Sequence, residues 1–566
     1  MIEILIYSTI SALIFISYGI FFVENFFLIR NKINLNYIEC GLFGIIFLSF
    51  ISLLLNFFTK LNSSTNNIIA LVALLFIIFS KNINYKIIKI SFIAGFVSSI
   101  LIILNNVNRP DAGLYHLPYI NIINNEKIIL GLSNLHSRFG HISIVQYTSA
   151  IFKNSLFGTN GILIPTALIS SFFILFLLDL LIKIKKKILL TEYYLIFLLL
   201  IFSLYHFSNY SGYGNDVPAY IYFFFTIVIF YKIKDFKKAN YIENGKILVT
   251  SIFVLLNKIF LILILLIPIM NFFLIKRKKD FIKYRALLFS LIFILLWFIK
   301  NTLATGCLLY PIELTCIKKI NWLNINDVKN LNIHGEAWSK AWNDQKEPRI
   351  AMEEYNSEFK WVKTWKEKHF RKILEKFFPF LIFNILIIFF FFFFYRKKKI
   401  KIIAIKDYQN KFKIYFLLFL STLGIFFWFS KFPLYRFGLG YLVTFVICST
   451  LLILINFSKN KNYFLIKFYK FTIYTGIFLF IIFNAKRINN NFGIYYNNYP
   501  WPKIYSFSEE NNLITYKPIF QDNTIIYYMA EGELCMYGKS PCTSYYNKEI
   551  KFKEKYNYKI FYKKKD

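Results

Sequence analysis

The chain is built on apolar runs that repeatedly extend past the length of a soluble core helix. "TALISSFFILFLLDLLI" (166–182) and "PFLIFNILIIFFFFFFY" (379–395) hold almost no polar residue. Each reaches the roughly 17–25 residues that cross about 30 Å of hydrocarbon. Runs of this kind predict helices near 2–25, 38–58, 68–80, 87–104, 159–182, 189–206, 217–232, 286–304, 376–395, 414–430, 437–457 and 468–485, with a short pair over 247–275. Both flanks of the pair are basic, so it is expected to leave and return to one side, each limb too short to span straight. The fold class that follows is an all-α transmembrane bundle of about 12–14 crossings. The opening "MIEILIYSTISALIFISYGIFF" has no basic n-region and no small-residue cleavage site. It is expected to be a retained helix rather than a signal peptide.

Composition agrees. The chain is 57% hydrophobic and 17% charged, against about 25% charged residues in soluble domains. A net charge of +37 suggests nucleic acid at first sight, but the cations cluster in short connections: "KIKKK" (183–187), "KIKDFKK" (232–238), "KRKKDFIKYR" (276–285) and "RKKKIK" (396–401). Lys and Arg collect in cytoplasmic loops of membrane proteins. No basic stretch is interleaved with stacking aromatics in a soluble domain, so nucleic acid is excluded as a partner and membrane lipids are implied.

Placing the basic loops inside puts 105–158, 207–216 and 305–375 outside, together with a C-terminal region. The chain thus divides into a polytopic domain, 1–485, and a small extracytoplasmic region, 486–566, rich in Asn, Tyr and Lys. The expected location is a bacterial cytoplasmic membrane, with the chemistry facing the extracytoplasmic side. Cys535 and Cys542 lie close together in the outer region, where an oxidising compartment favours a disulfide and free thiols are the alternative. Cys307 and Cys316 form a second candidate pair.

Polar residues gather in the outside segments. The stretch 105–143 contains Asp111, His116, His136, Arg138 and His141, in a chain with six His. Interspersed apolar residues suggest short helices on the membrane surface. Asp111 either meets a substrate head group or caps a short helix. In "SNYSGYGNDVPAY" Asp216 begins the next crossing, and two carboxylates from separate loops suit acid–base work or cation binding, with capping again the alternative. Lys258 falls inside the apolar pair, where a charge is expensive and either functional or snorkelling. Arg436 follows a tight turn in "WFSKFPLYRFGLGYL" and suits bidentate phosphate contacts. His136 and His141 are five apart, which does not stack two ligands on one helical face, so no metal site is assigned.

The blocks "DAGLYHLPYI…GLSNLHSRFGH", "NDVPA", "KNTLATGCLLYP…NW", "FPLYRFGLGYL" and "ELCMYGKSPCT" follow one another across about residues 100–545. In this order they resemble an uncharacterised bacterial family of polytopic membrane proteins, itself similar to the GT-C glycosyltransferases. That resemblance implies a GT-C-like helix bundle that takes sugar from a polyprenyl-phosphate carrier. It implies catalytic roles for Asp111 and Asp216, and substrate contacts for Tyr115, His116, Asn134, His136, Arg138, His141, Lys258 and Arg436. Lys258 and Arg436 would meet the carrier phosphate. Two extra N-terminal crossings and a small C-terminal region depart from better-known GT-C members. The implied partners are a polyprenyl-phosphate-linked sugar and a glycan, lipid or protein acceptor. No cofactor is indicated, and a divalent metal is left open. A transporter or flippase of glycans, or a non-catalytic assembly protein, are the competing readings.

Overall fold

The computed structural model describes residues 2–27, 35–79, 85–104, 111–141, 143–184, 190–206, 213–234, 236, 241–275, 285–396, 408–455, scattered positions of 471–489, and 514–563 apart from 533. Parts of each basic loop, residues 105–110 and 207–212, much of the last expected crossing and the stretch 490–513 lie outside the described residues.

The helices are α1 (Ile2–Phe26), α2 (Tyr37–Phe58), α3 (Ser63–Phe79), α4 (Tyr85–Leu104), α5 (Leu117–Asn125), α6 (Val145–Ile151), α7 (Ile164–Ile184), α8 (Leu190–Tyr205), α9 (Asp216–Lys232), α10 (Tyr241–Asn257), α11 (Leu266–Leu274), α12 (Arg285–Thr305), α13 (Ile325–Ser339), α14 (Arg371–Arg396), α15 (Tyr408–Lys431) and α16 (Tyr435–Ile455). Among the described residues eight of these are long and apolar enough to cross a membrane: α1, α2, α4, α7, α12, α14, α15 and α16. Packing is inside-out in the way hydrocarbon demands. The core of α7 is 89% buried, whereas α14 is 33% buried. Phe92 and Phe96 of α4, Leu291 and Leu295 of α12, and Ile385 and Phe389 of α14 are exposed. A water-facing surface does not carry apolar patches of that extent. Helices α1 and α2 meet backbone to backbone, since a Cβ on Gly44 would stand 1.8 Å from the Phe15 carbonyl oxygen. Small residues permit this approach where no hydrophobic force drives helices together.

The pair expected over 247–275 is longer than the sequence suggested. Helix α10 starts at Tyr241 and has 17 residues. The return limb is a 3-10 segment, Ile259–Leu265, continued by α11. The polar start "YIENGK" joins the helix because Lys246 pairs with Glu39 at 2.9 Å. The two limbs break at Lys258, whose backbone is extended. Lys258 therefore sits at one end of the bundle, not within an apolar limb.

The bundle has two distinct ends. At one, Asn36 donates to Asp179, Lys183 pairs with the same carboxylate, and Lys413 donates to the Tyr231 carbonyl. At the other, the segments expected outside pack on one another. Leu61 N–H donates to the Ile123 carbonyl, Gly131 N–H to that of Leu303, and Ser143 Oγ lies 2.7 Å from Asn257 Oδ1. The C-terminal region joins this end as β structure. Strands β1 (Tyr516–Gln521) and β2 (Thr524–Ala530) are antiparallel, and β3 (Cys542–Thr543) runs parallel to β2. A separate hairpin pairs β4 (Ile550–Lys555) with β5 (Tyr558–Lys563). Its turn residues Tyr556 and Asn557 both have positive φ, the geometry that suits the twist of a two-residue hairpin. Leu130 extends this hairpin beside β5, exchanging backbone hydrogen bonds with Lys559 and Phe561 at 2.9 Å each. Two disulfides lock the same end. Cys535–Cys542 has Cα atoms 6.0 Å apart, and Cys307–Cys316 closes the loop after α12.

Candidate functional site

Five charged side chains from five separate segments form one alternating chain at this end. Arg138 Nη1 lies 3.1 Å from Asp111 Oδ1, and Arg436 Nη1 lies 3.3 Å from Asp111 Oδ2. Arg436 Nε is 3.9 Å from Asp216 Oδ2, and the other Asp216 oxygen accepts from Lys258 Nζ. Burial grades along the chain: Arg138, Asp111 and Arg436 are 36–43% exposed, Asp216 23% and Lys258 10%. The outer half is therefore open to a ligand while the inner pair is largely enclosed.

Local structure explains each placement. Asp111 precedes a single π-helical turn, Ala112–His116, and makes no side-chain capping bond; both of its oxygens are spent on guanidinium groups. Such wide turns recur at functional sites. Asp216 occupies the first turn of α9, where the capping position belongs to Asn215. Capping therefore accounts for neither carboxylate. Lys258 is held at the α10 break because neighbouring Asn257 binds Ser143 and accepts from the Asn215 amide at its carbonyl. Its ammonium also lies 4.2 Å from the centre of the Phe437 ring. Arg436 leaves a turn pinned by two indoles: Trp428 donates to the Leu434 carbonyl and Trp365 to that of Pro433, each at 2.7 Å. The C-terminal region reaches the site too, since Met536 N–H donates to the Gly113 carbonyl at 2.9 Å. A Cβ on Gly113 would stand 2.2 Å from Met536 Sδ, so any larger residue would force the methionine side chain aside.

The remaining expected residues divide in two. Tyr115 and His116 border the charge chain. The Arg138 guanidinium stacks 5.1 Å from the Tyr115 ring centre, and burial, helped by Asp111, pushes the phenol up to about 12. The buried His116 receives a 2.6 Å hydrogen bond on Nδ1 from Gln146. Asn134, His136 and His141 lie on the far side of the 3-10 turn Ser137–His141 that carries Arg138. Asn134 donates to the Trp322 and Phe561 carbonyls, His136 packs at a tilt against Tyr545, and His141 meets Tyr310 edge to face. Asn134 lines a separate cavity of about 330 Å3, together with Ser133, Ser137, Tyr310, the start of α13, and Tyr545, Asn547 and Lys563 of the C-terminal region; His136 and His141 sit behind its two tyrosines. No group of three or more His, Cys, Asp or Glu that could hold a metal ion occurs among the described residues.

Sequence reasoning missed Gln146, Asn257 and Trp338, whose ring lies 5.9 Å from the Arg436 guanidinium. It also missed Lys300, a buried cation near the end of α12 whose Nζ donates to Asn301 and faces the Trp297 ring. A lysine this close to the end of an apolar run was the available signal, obscured by the many lysines that merely flank crossings.

Buried imidazoles, His116 and His136 among them, give this end of the bundle a defined pH response. Burial holds His116 down at about 4, outweighing the pull of Asp111 and Asp216. Burial and then Arg138 hold His136 at about 4, which keeps its Nδ1 free to accept from the Arg138 amide. The unfolded chain, with imidazoles near 6.5, takes up protons that the folded chain refuses until about pH 4. The stabilisation is complete above pH 6.5 and is lost as pH falls toward 4, by about 2 kcal/mol per imidazole at pH 5. The thermal midpoint of the detergent-solubilised chain is expected to drop between pH 7 and 5, and less steeply in His136→Gln. An unchanged slope in that variant would remove His136 from the account.

The fold and the composition of its surface define a multi-pass helical membrane protein with an ionic cluster at one end of the bundle. Within that class the chain belongs to the family described as a domain of unknown function, DUF8201, which it matches over residues 1–443. No curated protein and no solved structure matches it. The matched span includes every member of the charge chain and ends before the C-terminal strands.

Proposed function

We propose that this protein is a glycosyltransferase of GT-C type. It transfers a sugar from a polyprenyl-phosphate carrier to a glycan, lipid or protein acceptor at the extracytoplasmic face of a bacterial cytoplasmic membrane. The observation that carries this reading is the Arg138–Asp111–Arg436–Asp216–Lys258 chain. Its three cations exceed its two carboxylates by one charge, which suits a single phosphate anion. The outer guanidinium groups are exposed enough to turn from Asp111 to a phosphate and make bidentate contacts there. That movement frees Asp111 to accept the proton of an acceptor hydroxyl. The acceptor oxygen then forms the new bond to the anomeric carbon with inversion. The carbon–oxygen bond to the carrier phosphate breaks, and its electron pair leaves on the phosphate, where Arg138, Arg436 and Lys258 stabilise the charge. Asp216 keeps Lys258 and Arg436 in register. The clustering of charge at one end favours transfer over transport, for which ionisable groups near the midplane are the usual arrangement.

The orientation is supported by cysteine chemistry. Both disulfides lie at the site end, whereas Cys40, in the first turn of α2 at the opposite end, and mid-helix Cys448 are free thiols. Disulfides persist in oxidising compartments. A single cysteine at the exposed Leu314 is expected to react with an impermeant maleimide in intact cells, and one at Lys183 only after permeabilisation. Labelling at Lys183 in intact cells would reverse the orientation and end this reading of the site.

The activity is tested in proteoliposomes loaded with a panel of polyprenyl-phosphate sugars, following carrier and product by mass spectrometry. Consumption of intact carrier with appearance of free polyprenyl phosphate is expected. Movement of intact carrier between leaflets without cleavage would instead establish a flippase.

A further inference from the structure

The cavity of about 330 Å3 has a lining unlike that of the charge chain. It falls within the roughly 300–1,000 Å3 range of small-molecule sites. Its principal charges cancel locally, because Asp327 Oδ2 is paired with Lys563 Nζ at 2.6 Å. What remains is amide and hydroxyl chemistry. Asn134 commits both amide protons to backbone carbonyls, leaving its side-chain oxygen as an acceptor. Asn324 and Asn547 show the reverse, since each spends its oxygen on a backbone N–H, of Asp327 and Glu549 respectively, leaving an NH2 group to donate. Tyr310 and Tyr545 supply aromatic rings, the first backed by His141 and the second by His136 at 5.2 and 5.4 Å. Tyr545 remains 43% exposed.

A charge-neutral pocket with unspent donors and acceptors in its lining, and with aromatic rings, suits a ligand whose hydroxyls both donate and accept around an apolar ring face. An anion would find Lys563 already committed, and a cation would find Asp327 committed. We propose that this cavity is a binding site for a neutral pyranose unit. It shares the Ser137–His141 turn with the charge chain: Ser137 lines the cavity and the next residue, Arg138, grips Asp111. Its role in holding a neighbouring unit of an acceptor glycan, away from the hydroxyl that Asp111 meets, rests on the transferase reading, whereas its affinity for a pyranose does not.

The experiment separates the two. The full chain is purified in a detergent without a sugar head group. Saturation-transfer difference NMR then records methyl β-D-glucopyranoside, N-acetyl-D-glucosamine and methyl α-L-rhamnopyranoside, each at about 10 mM, a concentration matched to millimolar affinity. Saturation of ring protons of at least one sugar is expected. Tyr545→Ala should reduce it roughly fivefold, the loss of about 1 kcal/mol of ring contact. Asn330→Trp, on an exposed helix position at the cavity, should abolish it by filling the space without disturbing the core. Asp111→Asn should leave it unchanged, so a failure of transferase activity and a failure of sugar binding are read independently. Displacement of the sugar by inorganic phosphate would place it on the charge chain and overturn the proposal. So would the absence of transfer to all three sugars, or a signal indifferent to both cavity variants.

Discussion

Replacing Asp111 with Asn is expected to lower sugar transfer by on the order of 10^3-fold, the contribution of a well-placed general base. The substitution keeps the shape of the side chain and a hydrogen-bonding oxygen for either guanidinium, but removes the atom that takes the acceptor proton. The fold should survive, because Asp111, Arg138 and Arg436 are all more than a third exposed, and exposed ion pairs contribute about 0–1 kcal/mol. The loss should fall on kcat. The KM for the carrier should stay level or drop, since Arg138 and Arg436 no longer have a carboxylate competing with phosphate. Proteoliposome turnover with purified variant, at equal yield and thermal midpoint, is the measurement. Undiminished turnover would end the assignment of Asp111 as base.

The second large effect is on stability. Lys258 and Asp216 form the least exposed link of the charge chain, and removing one partner of an enclosed pair strands the other. Lys258→Met leaves Asp216 with Arg436 at 3.9 Å; Asp216→Asn leaves Lys258 over the Phe437 ring. Each single change is expected to cost about 3 kcal/mol, at the lower end for buried pairs because Asp216 keeps some solvent. The double variant should cost about 4 kcal/mol, short of the sum of the two singles by a coupling of about 2 kcal/mol. Denaturant titration in micelles measures it. Additive single effects would show that the two side chains are merely neighbours.

Eight of the expected 12–14 crossings are helices of spanning length among the described residues. These were legible because hydrocarbon thickness imposes a length that soluble folds do not need, which α7 or α14 can satisfy only as a long apolar run. The limits of α10 were not, because Glu243, Asn244 and Lys246 read as a loop until Glu39 is seen to receive the lysine. Within the site, Asp111, Asp216, Lys258, Arg138 and Arg436 were each visible as polar residues in outer or interrupted segments. Their order in the chain of charges was not visible, since it is set by contacts between segments up to 325 residues apart. His136 and His141 share a turn with Arg138 but face the tyrosines of the cavity, a division that spacing along an irregular 3-10 turn does not reveal. The strands of the C-terminal region went unread because they are short and lack a clean apolar–polar alternation, as in "TIIYYMA" (524–530), and because Leu130, which bridges to β5, belongs to another part of the sequence.

That distant pairing sets the order in which the site end of the bundle can be completed. Asn134 donates one of its hydrogen bonds to the carbonyl of Phe561, 427 residues further along the chain. At a synthesis rate of about 5–20 residues per second, roughly 20 to 90 seconds separate the emergence of the two. Throughout that interval the turn bearing Arg138 lacks the strand that braces it, and the cavity lacks one wall. The wall arrives only when the segment carrying β5 reaches the same side of the bundle as α5. Loop and site are therefore made early and finished late, and the wait is governed by the passage of the chain's later half rather than by the folding of the helices that surround them.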